Sequence, residues 1–185
     1  MTIITKQGDR GTTRLLSGEE IKKSEQRLEA MGVIDMLNAQ LGLSRALMAR
    51  ISGGGRAAIE REILELQLDL FRFGAELSSK NPAEQPLVEM TGKTHVSRIE
   101  SRIRELESDI KLPRSFIVPG ATEASAAMDV ARAVARRLER QTVSLAESGH
   151  YNNEQGLIYL NRLSDYLFLL ARAIERCAGI AFDTK

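Results

Sequence analysis

Ile59-Glu-Arg-Glu-Ile63-Leu-Glu-Leu66-Gln-Leu-Asp-Leu70-Phe-Arg-Phe73-Gly-Ala-Glu-Leu77 is the stretch on which the fold turns. Ile59, Ile63, Leu66, Leu70, Phe73 and Leu77 advance in steps of four and three. That interval returns a side chain to one face of an α-helix, whereas a strand would scatter it over both faces. Kept up without a break, it describes a long helix with a single packing seam, the kind that lies nearly parallel to its neighbours in a bundle. Outward from this helix (56–79), the same spacing recurs at Val96, Ile99, Ile103, Leu106 and Ile110 within 94–112. Upstream, 25–50 carries Leu28, Met31, Ile34, Leu37, Leu41 and Met48, and Ser52-Gly53-Gly54-Gly55 ends it in a turn. Downstream, helices are expected over 122–148 and over 154–177, the latter with Leu160, Leu163, Leu167, Leu170 and Ile174. Strand signals are almost absent, and there is no internal repeat. The expectation is an all-α, five-helix bundle in one domain spanning 1–185. Residues 25–178 would form the bundle, and 1–24 would precede it as a loop.

The bulk numbers exclude several functions. A net charge of +1 across 185 residues argues against a broad nucleic-acid surface, which leaves a basic excess. With aromatics at 4% and no Trp, base-stacking platforms are not expected either. Cys177 is the sole cysteine, so no intrachain disulfide forms and a reducing compartment suits the chain. Its expected place is a buried helix end. No apolar run approaches membrane-spanning length, and Met1-Thr-Ile-Ile-Thr-Lys6 lacks the marks of a signal or transit peptide. The expectation is a cytoplasmic protein that engages neither membrane nor nucleic acid.

Asp129-Val-Ala-Arg132-Ala-Val-Ala-Arg136-Arg137-Leu-Glu139-Arg140 is the most informative stretch for function. Arg132, Arg136 and Arg140 recur every four residues and share one helical face, with Glu139 beside them. Ala127, Val130, Ala131, Val134 and Leu138 form a small apolar face opposite. Guanidinium forks suit phosphate and carboxylate oxygens, so the stripe reads either as a polyanion site or as a solvated basic face. Thr5-Lys6-Gln7-Gly8-Asp9-Arg10-Gly11-Thr12-Thr13 has the glycines, hydroxyls and cations of a phosphate cradle, although its spacing is not that of a P-loop. Asn161, Ser164, Asp165, Phe168 and Arg172 share one face of the last helix, and Asp35, Asn38, Gly42 and Arg45 line the first. Asn and Asp are unfavourable inside helices and call for partners, whether in a neighbouring helix or in a ligand. A di-iron centre needs two Glu-x-x-His motifs, and the chain holds only Glu147-Ser-Gly-His150. Without a Cys/His cluster a structural zinc site fails too. His95 and His150 read as surface or loop residues. Between Pro113 and Pro119 lies a constrained loop carrying Phe116; most phenylalanines are core plugs, and Phe116 on its own reads as one.

Five motifs in order resemble those of the PduO-type ATP:cob(I)alamin adenosyltransferases over almost the whole chain. They are 5–13, Arg27-Leu-Glu29-Ala-Met-Gly32-Val-Ile-Asp35-Met-Leu37-Asn38, Phe116-Ile-Val-Pro119-Gly120, the arginine helix, and Asn161-Arg-Leu-Ser-Asp-Tyr-Leu-Phe168. The resemblance implies a ferritin-like five-helix bundle that forms a homotrimer with ATP between subunits. By resemblance, Thr5, Lys6, Gln7, Gly8, Thr13 and Lys23 hold the nucleotide from the N-terminal loop. Arg136, Arg137, Glu139, Arg140 and Asn161 hold it from the helices. Arg132 and Asp35 match a pair that bridges the subunit interface near the corrin site, and Phe116 matches a residue on the lower face of cobalt. The implied reaction moves the 5′-deoxyadenosyl group of ATP to cob(I)alamin, with Mg²⁺ on the leaving triphosphate. Implied partners are a reductase that supplies cob(I)alamin and an adenosylcobalamin-dependent enzyme that accepts the product. A non-catalytic trimeric bundle binding ATP or cobalamin as sensor or carrier is the alternative. Gln7, Ala121 and the pair Met128-Asp129 depart from the family pattern; the last three bear on the corrin side.

Overall fold

The computed structural model describes residues 4, 6, 8–79, 89–182 and 184. Its described helices are α1 (Gln26–Leu47), α2 (Arg56–Leu77), α3 (Lys93–Asp109), α4 (Glu123–Glu147) and α5 (Glu154–Cys177), with a short 3-10 turn at Met48–Arg50. Local chemistry sets their starts. Thr122 Oγ1 accepts from the Ser125 amide at 2.9 Å while Ser125 Oγ accepts from the Thr122 amide at 3.1 Å, a reciprocal cap on α4. Asn153 Oδ1 accepts from the Gln155 amide at 3.1 Å to open α5. At the head of α3, His95 Nδ1 accepts from the Gly92 amide at 3.0 Å. This half-buried histidine is therefore a helix cap rather than a surface bystander, while His150 is exposed in the turn after α4.

Helix α1 packs on α4 and α2, while α5 packs on α4, α2 and α3. Four helices thus close a ring, and α3 lies against α5 outside it. The expected seam of α2 is the observed one: Ile63, Leu66, Leu70, Phe73 and Leu77 are buried. Helix α5 is enclosed on several sides, so its leucines from Leu160 to Leu170 lie in the core. Ala131 and Ala135 are wholly buried on α4, and their small side chains let the neighbouring helices come close. Side chains of α1 bond into the backbone of α4: Ser44 Oγ donates to the Ala124 carbonyl at 2.9 Å and Gln40 Nε2 to the Ala127 carbonyl at 3.1 Å. Asn38 and Gln67 exchange comparable bonds between α1 and α2, which answers part of the polar line on α1.

Two buried carboxylates on α2 are fully engaged. Glu76, with no exposure, accepts from Tyr151 Oη, Asn153 Nδ2 and the Thr91 amide, each at 2.7 Å. Burial, and then the adjacent Glu76 carboxylate, push the Tyr151 hydroxyl well above its usual range. Asp69 accepts from Tyr159 Oη at 2.8 Å and pairs with Arg72 and Arg98. Buried charges persist where donors surround them.

The structure differs from the expected layout in several places. Thr12–Arg14 (β1) and Glu20–Lys22 (β2) form an antiparallel hairpin, pairing Thr13 with Ile21, where a plain loop is expected. Helix α3 stops at Asp109, ahead of Pro113. Val130 is 51% exposed although the apolar face of α4 was expected to bury it; the buried face runs through Ala127, Ala131, Ala135 and Leu138. Cys177, at the last turn of α5, is half-buried and donates to the Gly54 carbonyl at 3.4 Å. No described helix is long and apolar enough to cross a membrane.

Candidate functional site

The N-terminal cradle is shaped by the hairpin. Leu15 and Ile21 are its buried side chains, and Gly18 turns it at a φ of +82°. The Lys23 amide then returns to the Gly11 carbonyl at 2.9 Å. This closure lays the lysine across the loop: a Cβ placed on Gly8 would lie 2.7 Å from Lys23 Nζ. Gly8 and Lys23, distant in sequence, are therefore side by side. Lys6 is exposed, with a left-handed φ of +57°, and Thr13 is half-buried in β1. Thr5 and Gln7 lie outside the described residues.

On α4 the arginines divide. Arg137 Nη2 donates to Glu29 Oε1 of α1 at 2.7 Å, so α1 already holds this guanidinium. Arg136 and Arg140 are exposed, and among the described residues neither has a hydrogen-bond or ion-pair partner. Two guanidiniums one turn apart with no carboxylate to neutralise them form an electropositive patch, which an anion would stabilise. Glu139 is turned away from them: its Oε1 accepts from Asn161 Nδ2 of α5 at 2.9 Å. Asn161 Oδ1 accepts in turn from Arg162 Nη1 at 2.7 Å, and Arg162 Nε donates to Glu100 of α3 at 3.1 Å. Glu139 and Asn161 thus meet between α4 and α5, while Asp165 is exposed and Arg172 wholly buried. The polar face expected on α5 is split between solvent and core.

A cavity of about 490 Å³ opens beside α4, lined by Met36, Pro119, Gly120, Val130, Arg132 and Val134 among others. Arg132 is half-buried there, its Nε 3.5 Å from Asp129 Oδ1. The loop that bears Phe116 forms part of this wall through Pro119 and Gly120. Phe116 itself is 88% exposed, so it is not a core plug. Ile117 makes an isolated antiparallel bridge to Thr184. Asp35 lines a second groove of about 490 Å³ with Leu15, Leu16, Met31, Asn38 and Phe71. Within the chain no ion pair joins Asp35 to Arg132.

Neither histidine lies in these cavities, and among the described residues no cluster of three His, Cys, Asp or Glu side chains could hold a metal. The arrangement offers an anion patch beside a mainly apolar, arginine-edged cavity.

Residues 3–174 match the family model described as cobalamin adenosyltransferase. The chain is 39% identical to the corrinoid adenosyltransferase PduO of Salmonella typhimurium over 94% of its length, covering 49% of that protein. It is 36% identical to the corrinoid adenosyltransferase of Bacillus subtilis over 97% of its length, covering 90% of that relative. Thus it spans about half of the first relative and most of the second. All of it superposes on 96% of a variant PduO-type ATP:corrinoid adenosyltransferase from Lactobacillus reuteri complexed with cobalamin and ATP, at a TM-score of 0.88 and 29% identity. A further variant from Lactobacillus reuteri, complexed with ATP, gives 0.85 at 31% identity, with 100% of this chain and 99% of that one covered. This chain belongs to the cobalamin adenosyltransferase family.

Proposed function

We propose that the protein transfers the 5′-deoxyadenosyl group of ATP to cob(I)alamin, forming adenosylcobalamin and releasing triphosphate. The observation that carries this reading is the pair Arg136 and Arg140, exposed on α4 with no carboxylate partner among the described residues. Similarity to proteins solved with cobalamin and ATP supports the choice of ligands.

Cobalt in cob(I)alamin is the nucleophile. Its lone pair forms a Co–C bond at the ribose C5′ while the C5′–O bond breaks, and triphosphate leaves with that electron pair. No side-chain base is required. The protein's contribution is alignment and stabilisation of the charge growing on the leaving group. Arg136 and Arg140 would take phosphate oxygens, and Gly8 and Lys23 would close on them from the N-terminal hairpin, together with Thr5, Lys6, Gln7 and Thr13. Arg137, held by Glu29, would flank the nucleotide, and Glu139 with Asn161 would bound it at the α4–α5 contact.

Mg²⁺ would be carried chiefly by the triphosphate oxygens, since the residues named offer one carboxylate, Glu139, whose Oε1 already accepts from Asn161. When bound, it would neutralise triphosphate charge. Phe116, exposed beside the Arg132 cavity, would cover the lower face of cobalt and keep water from it.

The resemblance implies a homotrimer with the site shared between subunits, Asp35 of one protomer facing Arg132 of the next. Leu64, Leu68 and Phe71, exposed by 43–68% at helical spacing on α2, supply an apolar surface suited to burial between protomers. Cob(I)alamin is readily oxidised, so the reaction belongs in a reducing cytoplasm. A reductase would supply it, and an adenosylcobalamin-dependent enzyme would accept the product. The test is an anaerobic assay with chemically reduced cobalamin, ATP and Mg²⁺. Loss of the cob(I)alamin absorption that depends on protein and ATP is expected. A spectrum that stays unchanged at high protein concentration would overturn the proposal.

A further inference from the structure

Asp129, buried between α4 and α5, has surroundings that give it a task. It lies on α4 one turn before Arg132 and is 5% exposed. Its Oδ2 accepts from Arg172 Nη2 at 2.5 Å, and its Oδ1 faces Arg132 Nε at 3.5 Å. Arg172 is itself wholly buried, and its Nε faces Glu175 Oε2, also wholly buried, at 2.8 Å. Glu175, Arg172, Asp129 and Arg132 therefore form one row of alternating charge. It runs from the last turns of α5, through the α4–α5 contact, to the wall of the 490 Å³ cavity.

Charge balance separates the roles within the row. Arg172 alone faces two buried carboxylates and can neutralise only one. Burial pushes the Glu175 carboxyl up even with the Arg172 guanidinium beside it. Arg132 supplies the second positive charge, so with both carboxylates ionised the row is neutral when that guanidinium stays against Asp129. Nε of Arg132 is buried and lacks a hydrogen-bond acceptor, and Asp129 is its sole carboxylate within ion-pair distance among the described residues. Arg172 and Glu175 are three residues apart on one helix and would remain paired without Asp129. Among the described residues only Asp129 pairs with both Arg172 and Arg132, and it lines the cavity beside Arg132.

We infer that Asp129 is the positioning residue for Arg132: fixed from behind by Arg172, its carboxylate holds that guanidinium in place on the cavity wall for the corrin substrate. This rests on the reading of the cavity as the corrin-facing side of the site. A carboxylate at 129 therefore performs locally what an interface contact alone could not, since it orients Arg132 before any second protomer or ligand arrives.

Asp129→Asn keeps the shape, removes the charge and leaves the Arg172–Glu175 pair neutral. Relative to wild type, the variant should lose about tenfold in kcat/KM for cob(I)alamin, the size of an ordinary coupling between contacting residues. Its KM for ATP should stay within about twofold and its fold should persist, because the affected contact is one charge pair beside the cavity. A purely structural role would not produce the next result: in an Arg132→Ala background, Asp129→Asn should cause no further loss. A crystal structure of Asp129→Asn should show the Arg132 guanidinium displaced or without density, a readout independent of activity. Wild-type kinetics in the single variant would overturn the inference. So would an equal loss in the Arg132→Ala background, or collapse of the fold, since each assigns Asp129 to the core alone. An inactive wild-type protein with Arg132 displaced in the variant would retire the transferase reading and keep the positioning role. An active enzyme whose Arg132 does not move would do the reverse.

Discussion

Replacing Phe116 with alanine separates two roles that the sequence leaves open. A phenylalanine plugged into a core and cut to alanine costs about 3–5 kcal/mol. Phe116 is 88% exposed, so about one-eighth of its surface is withdrawn from water, and proportional scaling gives about 0.5 kcal/mol. For a chain of this size that is about 1–2 °C in melting temperature. Function should respond far more. If Phe116 covers the lower face of cobalt as proposed, its loss should leave water or the lower ligand bound, so that cob(II)alamin stays five-coordinate and harder to reduce. Absorption spectra of cob(II)alamin with ATP and the Phe116→Ala protein should show a diminished four-coordinate signal. ATP affinity should hold and turnover should slow. An undiminished four-coordinate signal, or a melting loss of core size, would refute the reasoning.

Arg136→Ala and Arg140→Ala should each weaken nucleotide handling by about 1.5–3 kcal/mol, the worth of a charge-assisted contact, which is roughly ten- to 150-fold in kcat/KM for ATP. Both are exposed, so circular dichroism should be unchanged; unaltered kinetics at subsaturating ATP would remove them from the site. Asp35→Asn should lower turnover without lowering helix content, because Asp35 lines a groove rather than the core; a fully active protein that sediments as a monomer would contradict the shared site. His95 caps α3 through a neutral Nδ1. Burial first, and then Arg72, lower its pKa below 6.5. A depressed folded pKa means that the unfolded chain takes the proton first, so this contribution is present above pH 6.5 and lost as pH falls through the lowered folded value. His95→Gln, whose amide oxygen can serve as the cap, should flatten denaturation midpoints across that acidic window; parallel profiles for the two proteins would refute the assignment.

The bundle was legible because its apolar residues repeat at helical spacing, most plainly on α2, where the expected and observed seams coincide from Ile63 to Leu77. The hairpin was not, since Thr12–Arg14 and Glu20–Lys22 are too short for alternation to rise above a loop. Nor was the rotation of α4: wholly buried Ala131 and Ala135 mark its core face, and they carry less hydrophobic signal than the exposed Val130. At the site, the arginine stripe was readable as charge, but its division into engaged Arg137 and unpartnered Arg136 and Arg140 depends on Glu29, more than a hundred residues earlier. Helical spacing sets Arg172 on one face with Asn161 and Asp165, yet it is wholly buried against its acidic partners. Such pairings arise from tertiary contact between α4 and α5, which no spacing along one helix encodes.

The most direct test of the central claim counts both products of a single anaerobic reaction. Purified protein, reduced cobalamin and ATP with Mg²⁺ are incubated, then adenosylcobalamin is quantified by its photolabile spectrum and the phosphates are resolved by anion exchange. The account predicts one inorganic triphosphate for each Co–C bond formed, with no protein-dependent yield when ATP is omitted. Binding of ATP and cobalamin without either product, the behaviour of a sensor or carrier, would contradict it.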